Sequence, residues 1–273
     1  MFQRRWRRGN ALKDRQMVES VFMAELTWPE WKAKIDAGAI IFIPLGATEQ
    51  HGPHLPLNVD VILPTAVCEA VARNTGGLVA PTLSYGYKSM PRSGGGQSFP
   101  GTTSLDGNTF SLIIRDIIRD MASHGARRFV LINGHYENAW PAVEGLDLAL
   151  RELRRDGIAD ATAMRLEYWD FVTKETLDRI FPDGFPGTEL EHASIIETSM
   201  MLLLRPELVY LEKIPQEGRA SFPPYDIHPA PPGYLRESGV LADARGSRAE
   251  IGQWLMDDHV SMITAAVKKE FGL

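Results

Sequence analysis

The sequence predicts a single α/β domain with a mainly parallel central sheet flanked by helices on both faces. Three observations lead there. Short apolar runs, too brief for helices, alternate along the chain with longer segments of helical period. Glycines close several of those segments, as helix ends require. A composition of 44% hydrophobic and 23% charged residues over 273 positions is enough for one sizeable buried core.

Taken in order, residues 40–45 (IIFIPL) form a fully apolar run followed by Gly46, which reads as a buried strand. Asp60 then opens a helix in which Val61, Pro64, Val67, Cys68 and Val71 recur at helical spacing until Gly76 and Gly77. Residues 78–83 read as a second strand, followed by the glycine-rich stretch Gly94-Gly95-Gly96. Residues 104–124 make an amphipathic helix with Leu112, Ile113, Ile117 and Met121 on its apolar side, closed by Gly125. A third strand over 129–132, a helix over 138–154 and a fourth strand over 161–166 continue the alternation. A helix over 191–204, a proline-rich excursion over 215–232 and a terminal helix over 248–271 complete the chain. Such alternation implies right-handed crossovers and therefore parallel strands. No linker divides residues 21–273, so they are expected to be one domain.

Residues 1–20 carry Arg4, Arg5, Arg7, Arg8, Lys13 and Arg15 with no apolar stretch behind them, which describes a solvated basic arm rather than a secretory signal. A formal charge of −6 offers no field for nucleic acid, and no apolar run approaches the roughly 20 residues that span a bilayer. One cysteine, Cys68, cannot close an internal disulfide, which fits a cytoplasmic setting.

Open parallel sheets bind ligands beyond the carboxyl ends of their strands. Two clusters stand there. Glu49 and His51 follow the first strand, with Asp60 a little further on, and His135 and Glu137 follow the third. In extended backbone, residues two apart point the same way, so each carboxylate and imidazole pair aims into one crevice. Three carboxylates and two neutral imidazoles carry −3, which with one hydroxide balances two divalent cations. Nitrogen and oxygen donors without thiolate suit Zn²⁺ or Mn²⁺. Asp60 is the candidate to bridge ions about 3.5 Å apart, although it stands equally well as a helix N-cap.

The runs GATEQHGPHLPLNVDVILPTAV, YGYKSMPRSGGGQSFPGTTSLDG and NGHYENAWPAVEGLDLALRELR closely resemble the creatininase (creatinine amidohydrolase) family. The resemblance implies a homohexameric cyclic amidohydrolase holding two divalent ions, Zn²⁺ and/or Mn²⁺, per subunit. It assigns Glu49, Asp60 and His135 to one ion and His51, Asp60 and Glu137 to the other. It places Ser93, Gly134, Tyr136 and Trp169 along a pocket for a small cyclic substrate, and Glu191 and His192 as a second catalytic pair, with Glu191 orienting His192 for proton transfer. Glu137 belongs to the catalytic set as well as to the ligands.

One region departs from the family pattern. Thr188 stands where the family carries a lid tryptophan, and Glu189 where it carries aspartate. Creatinine hydrolysis to creatine is the leading expectation. The lost indole favours an alternative, hydrolysis of a cyclic polyol ketone such as 3-dehydro-scyllo-inosose with cleavage of a carbon–carbon bond. Attack of hydroxide on a carbonyl is common to both reactions.

Overall fold

The computed structural model describes residues 20–273. The basic arm expected over 1–20 therefore lies outside the described residues, apart from Ser20. Four parallel strands make one sheet in the order β2-β1-β3-β4: β1 (Ile41–Leu45), β2 (Leu78–Val79), β3 (Arg128–Asn133) and β4 (Thr162–Glu167). Strand β1 has all five residues buried, and β3 is buried from Phe129 onward, as central strands covered on both faces must be.

Helices cover both faces. Helix α1 (Trp28–Asp36), α3 (Gly107–Ser123) and α4 (Ala139–Arg155) lie over one, with Ile41, Ile43, Leu45, Phe129 and Leu131 beneath. On the other, α2 (Val59–Thr75), α6 (Ile195–Leu204) and α7 (Ala249–Phe271) pack over Phe42, Val130 and Ile132, and the short α5 (Lys174–Ile180) adds Ile180 to that cluster. Helix α1 begins where the Glu30 carboxylate accepts the Thr27 N–H at 2.7 Å, and α2 ends on Gly76 with φ +67°.

Three local expectations are refined. Strand β2 stops at Val79 because Pro81 has no N–H to continue the ladder; only an isolated bridge joins Leu83 to Leu45 beyond it. In α3 the buried stripe is Phe110, Ile114, Ile118 and Ala122; Ile117 and Met121 flank it, while Leu112 faces outward. Helix α6 starts at Ile195 rather than Glu191. Ala193 turns the chain left-handed at φ +54°, and the carboxylates of Glu191 and Glu197 accept the N–H groups of Ile196 and Ala193. Helix α7 matches its expected span to within one residue.

This topology fixes where a ligand can sit. The chain leaves β1 through α2 toward β2 on one side, then returns to β3 and β4 on the other. The crevice between the carboxyl ends of β1 and β3 is the switch point, and Leu45 pairs with Asn133 at its floor. Gly134 is a glycine because a Cβ there would strike the Pro64 ring of α2 and come within 2.9 Å of the Asp60 carbonyl.

Away from the crevice, His259 of α7 is buried against Tyr168, its Nδ1–H donating to the Phe171 carbonyl at 2.9 Å. Burial pushes its imidazole down to about 4. The neutral form is thus the folded form, and its contribution is complete above the ordinary histidine value of about 6.5 and lost as pH falls toward 4. Thermal unfolding followed between pH 7 and 4 should show this loss, about 3 kcal/mol from this group, and His259→Gln should remove that part of the slope.

Candidate metal centre

Two loops and one helix bring the donors together. Glu49 and His51 lie on the turn after β1, and His135 and Glu137 on the turn after β3. Asp60 sits inside the first turn of α2 rather than at its N-cap, which is Asn58. Its carboxylate is turned from the helix end into the crevice, with Oδ1 3.0 Å from His51 Nε2 and Oδ2 3.1 Å from His135 Nδ1. Asp60 therefore stands between the two imidazoles.

The outer nitrogen of each ring is fixed by a backbone carbonyl. His135 Nε2–H donates to Tyr87 O at 2.8 Å, and His51 Nδ1–H donates to Glu49 O at 3.1 Å. The inner nitrogens, His135 Nδ1 and His51 Nε2, are thereby left as lone pairs facing carboxylate oxygens. Glu49 Oε2 lies 3.1 Å from His135 Nδ1. Lone pairs so arranged repel unless a cation or proton lies between them. Glu49 Oε1, His51 Nε2, Asp60 Oδ2 and Glu137 Oε2 are all buried with no hydrogen-bond partner among the described residues.

Two groups of donors meet the spacing an ion needs. Glu49, Asp60 and His135 bring their donor atoms within 4.8 Å of one another, and so do His51, His192 and Glu197. Glu197 has no place in the sequence-derived set. It lies in the first turn of α6, with Oε2 accepting Ala193 N–H at 2.6 Å and Oε1 3.7 Å from His51 Nε2. Its only sequence signal is its position six residues past Glu191, on the helix that follows the expected catalytic pair. In the two donor groups the carboxylates of Glu49, Asp60 and Glu197 carry −3, which with one hydroxide balances two divalent cations.

Glu137 takes a different place from the other expected ligands. Its Oε1 accepts Met90 N–H at 2.7 Å and the Ser93 hydroxyl, and its Oε2 lies 3.4 Å from the outer nitrogen of His135. Glu191 does not touch His192; its Oε1 accepts Ile196 N–H at 2.8 Å, leaving Oε2 buried and unpartnered. The neighbour of His192 is instead Gln50, whose amide nitrogen lies 2.9 Å from Nε2. The Gln50 carbonyl accepts Gly52 N–H, which orients that amide.

Electrostatics follow this geometry. Burial pushes the carboxyls of Glu49 and Asp60 up, but the neighbouring imidazoles and their hydrogen bonds outweigh it and hold both below the usual range. For His51 and His135 burial acts downward, yet the surrounding carboxylates raise both well above ordinary histidine. Burial, joined by the His51 charge, lowers His192. Burial raises Glu137 and takes Glu191 up to about 8.

A cavity of about 230 Å³ opens onto the cluster. Ser93, Gly134, Tyr136, Trp169, Thr188 and Glu189, all expected around the substrate, line it together with Glu191 and His192. Tyr136 and Trp169 lie nearly parallel with centroids 6.5 Å apart, forming one wall. The Tyr136 hydroxyl donates to Glu189 at 3.3 Å. His54, outside the cluster, is buried with Nε2 3.0 Å from the Thr198 hydroxyl.

Known proteins similar to this chain share its fold over most of its length. The chain is 50% identical to a creatinine amidohydrolase of Pseudomonas putida over 93% of its own length and 99% of that protein. A 3-dehydro-scyllo-inosose hydrolase of Thermotoga maritima is 29% identical over 70% of this chain and 58% of its own. A solved structure of creatinine amidohydrolase superposes with a TM-score of 0.91 at 50% identity, covering 93% of this chain and 98% of that one. Creatininase structures described as a Mn form and as a Zn-Zn form of a mutant also superpose at 0.91. A family model described as creatininase, creatinine amidohydrolase, matches residues 24–267. With the parallel sheet, the two donor groups and a half-identical relative of matching length in hand, the chain belongs to the creatininase family.

Proposed function

We propose that this chain is a dinuclear metal-dependent hydrolase that opens a small cyclic amide, with creatinine to creatine as the leading reaction. The observation that carries the reading is the pair of buried donor groups meeting at Asp60, whose opposed lone pairs call for cations. Glu49, Asp60 and His135 would hold one ion, and His51, Asp60 and Glu197 the other, with His192 beside the second. When bound, divalent zinc or manganese ions supply an ionised water near neutral pH and polarise the carbonyl it attacks.

The chain's own residues do the rest. The Tyr136 and Trp169 rings offer a flat wall for a flat ring. Glu137, held by Ser93 and Met90 N–H, presents Oε2 as a fixed acceptor beside the donor cluster. Glu191, which keeps its proton up to about pH 8, lies on the cavity wall and can give that proton to the departing ring nitrogen. His192 lies beside it with its Nε2 facing the Gln50 amide nitrogen at 2.9 Å, and burial lowers its basicity.

A second reading keeps the donor cluster and changes the ring. Thr188 and the polar group of Tyr136, Glu189 and Arg92 at the mouth give donors and acceptors for hydroxyls, which favour a cyclic polyol ketone of the kind named for the Thermotoga maritima relative. A homohexamer in the cytoplasm belongs to the same proposal. Trp28 and Trp140, 81% and 82% exposed, support burial against other subunits. The buried free Cys68 supports a reducing compartment, and no described helix is long and apolar enough to cross a membrane.

Metal analysis tests the centre. The purified protein should hold two divalent ions per chain. Asp60→Asn should lower that content and cut turnover by at least about 10³-fold, and Glu197→Gln should remove one ion while sparing the other. Unchanged metal content in both variants would discard the proposed ligand sets. Creatinine and cyclic polyol ketones compared side by side test the ring. Thr188→Trp should raise kcat/KM for creatinine relative to the ketone, and an unchanged ratio would show that this position does not set selectivity. The rate should fall as pH rises through about 8 because Glu191 then loses its proton. In Glu191→Gln that limb should vanish and kcat should drop about 100-fold; a limb that persists would take the proton-donor role away from Glu191.

A further inference from the structure

Tyr168 opens the turn after β4, so a third strand end reaches the crevice besides those of β1 and β3. Its ring joins Leu166 in the core beneath α2, α6 and α7, and it stands edge-on to both Trp169 and His259, with centroids 5.3 Å apart in each case. Those contacts fix the ring and leave the residue 2% exposed, yet it lines the donor cavity. The phenolic O–H makes no hydrogen bond to any described residue. The charges that bear on it are the carboxylates of Glu197, Asp60 and Glu191, which sets it at the donor end of the cavity rather than at the mouth. Burial and those same carboxylates raise the phenol well above ordinary tyrosine, so it stays a donor.

Buried donors without an acceptor are uncommon in folded proteins, and one held rigid on a cavity wall is matched to an acceptor on the ligand. Glu191 lines the same cavity with its Oε2 likewise buried and unpartnered. A ring amide carries its carbonyl oxygen and its nitrogen on one carbon, so one donor for each suits a single wall. Resting on the hydrolase reading of this cavity, we propose that the Tyr168 hydroxyl donates to the carbonyl oxygen of the bound ring and tightens on it as that oxygen gains charge. The oxygen of the attacking hydroxide bonds to the carbonyl carbon, and the carbonyl π pair moves onto the oxygen that Tyr168 holds. When that pair returns, the carbon–nitrogen bond breaks and the nitrogen takes the proton of Glu191. Tyr168 keeps its own proton throughout. Attack on a ring ketone begins in the same way, so the contact serves either ring.

Tyr168→Phe deletes one oxygen and keeps the packed ring, which makes it the test. In the metal-loaded protein, kcat should fall about 10²-fold with little change in KM. Ion content should be unchanged, and the fall in rate near pH 8 that belongs to Glu191 should persist. An unchanged kcat would overturn the contact, and so would a loss of bound ions, which is what a hydroxyl acting only through Glu197 would give. A second measurement needs no turnover: trifluoroacetone, whose hydrate mimics the tetrahedral centre, is titrated calorimetrically into both proteins. Tyr168→Phe should bind it at least about 10-fold more weakly, and equal binding would overturn the contact whatever the rates. Weaker binding in the variant of a protein that turns over neither creatinine nor a cyclic ketone sinks the hydrolase reading alone. Turnover and probe binding both untouched by Tyr168→Phe sink the contact alone.

Discussion

The arrangement on which the rest of the structure depends is the confrontation of like partners around Asp60. Two imidazoles, each with its proton committed outward to a backbone carbonyl, turn lone pairs toward buried carboxylates at the floor of the cavity. Such a centre is unfavourable on its own and becomes favourable only with positive charge placed between the groups. Without a cation, protons on the two imidazoles supply the positive charge; with neutral rings the fold holds the donors together. It does so with elements stable for other reasons: two adjacent central strands, the first turn of α2, and the start of α6.

Close packing of backbone serves the same end. The glycine-rich stretch after β2 runs against the centre so tightly that a Cβ at Gly96 would stand 2.5 Å from Glu49 Oε1, and one at Gly94 would meet both Glu49 and His192. Asn138 ties the two donor loops together, accepting Tyr87 N–H at 2.8 Å and donating to the Gly46 carbonyl at 3.1 Å. The same Tyr87 accepts the outer proton of His135 through its own carbonyl. Residues that never face a substrate thus decide which imidazole nitrogen is presented to a cation. The left-handed backbone at Ala193 plays the matching role on the opposite wall. It releases His192 from the helix so that its ring lies 4.4 Å from that of His51.

Much of this was legible in the chain. Alternation of short apolar runs with amphipathic segments gave the parallel sheet, and its topology placed the ends of β1 and β3 side by side. Glu49, His51, Asp60 and His135 were readable because each lies within a few residues of a strand end or helix start, where local geometry already limits where a side chain points. Asp60 shows the boundary of that reasoning. From sequence it was equally a cap or a ligand, and the decision came from His51 and His135, which reach it from two different loops. Gln50 was silent, since an amide between Glu49 and His51, whose chemistry is stronger, carries no pattern of its own.

The sequence by itself determined the fold class, the nature of the donor atoms and the loops that carry them, because strand, helix and turn preferences act over a few residues. The tertiary structure alone decided the company those donors keep. Gln50 and His192 meet across 142 residues of chain, and Glu197 joins His51 only because α6 packs against α2 and α7. Contacts of this range follow from how helices stack on a sheet, and that stacking is set by the sum of many apolar contacts, which no single stretch of residues records.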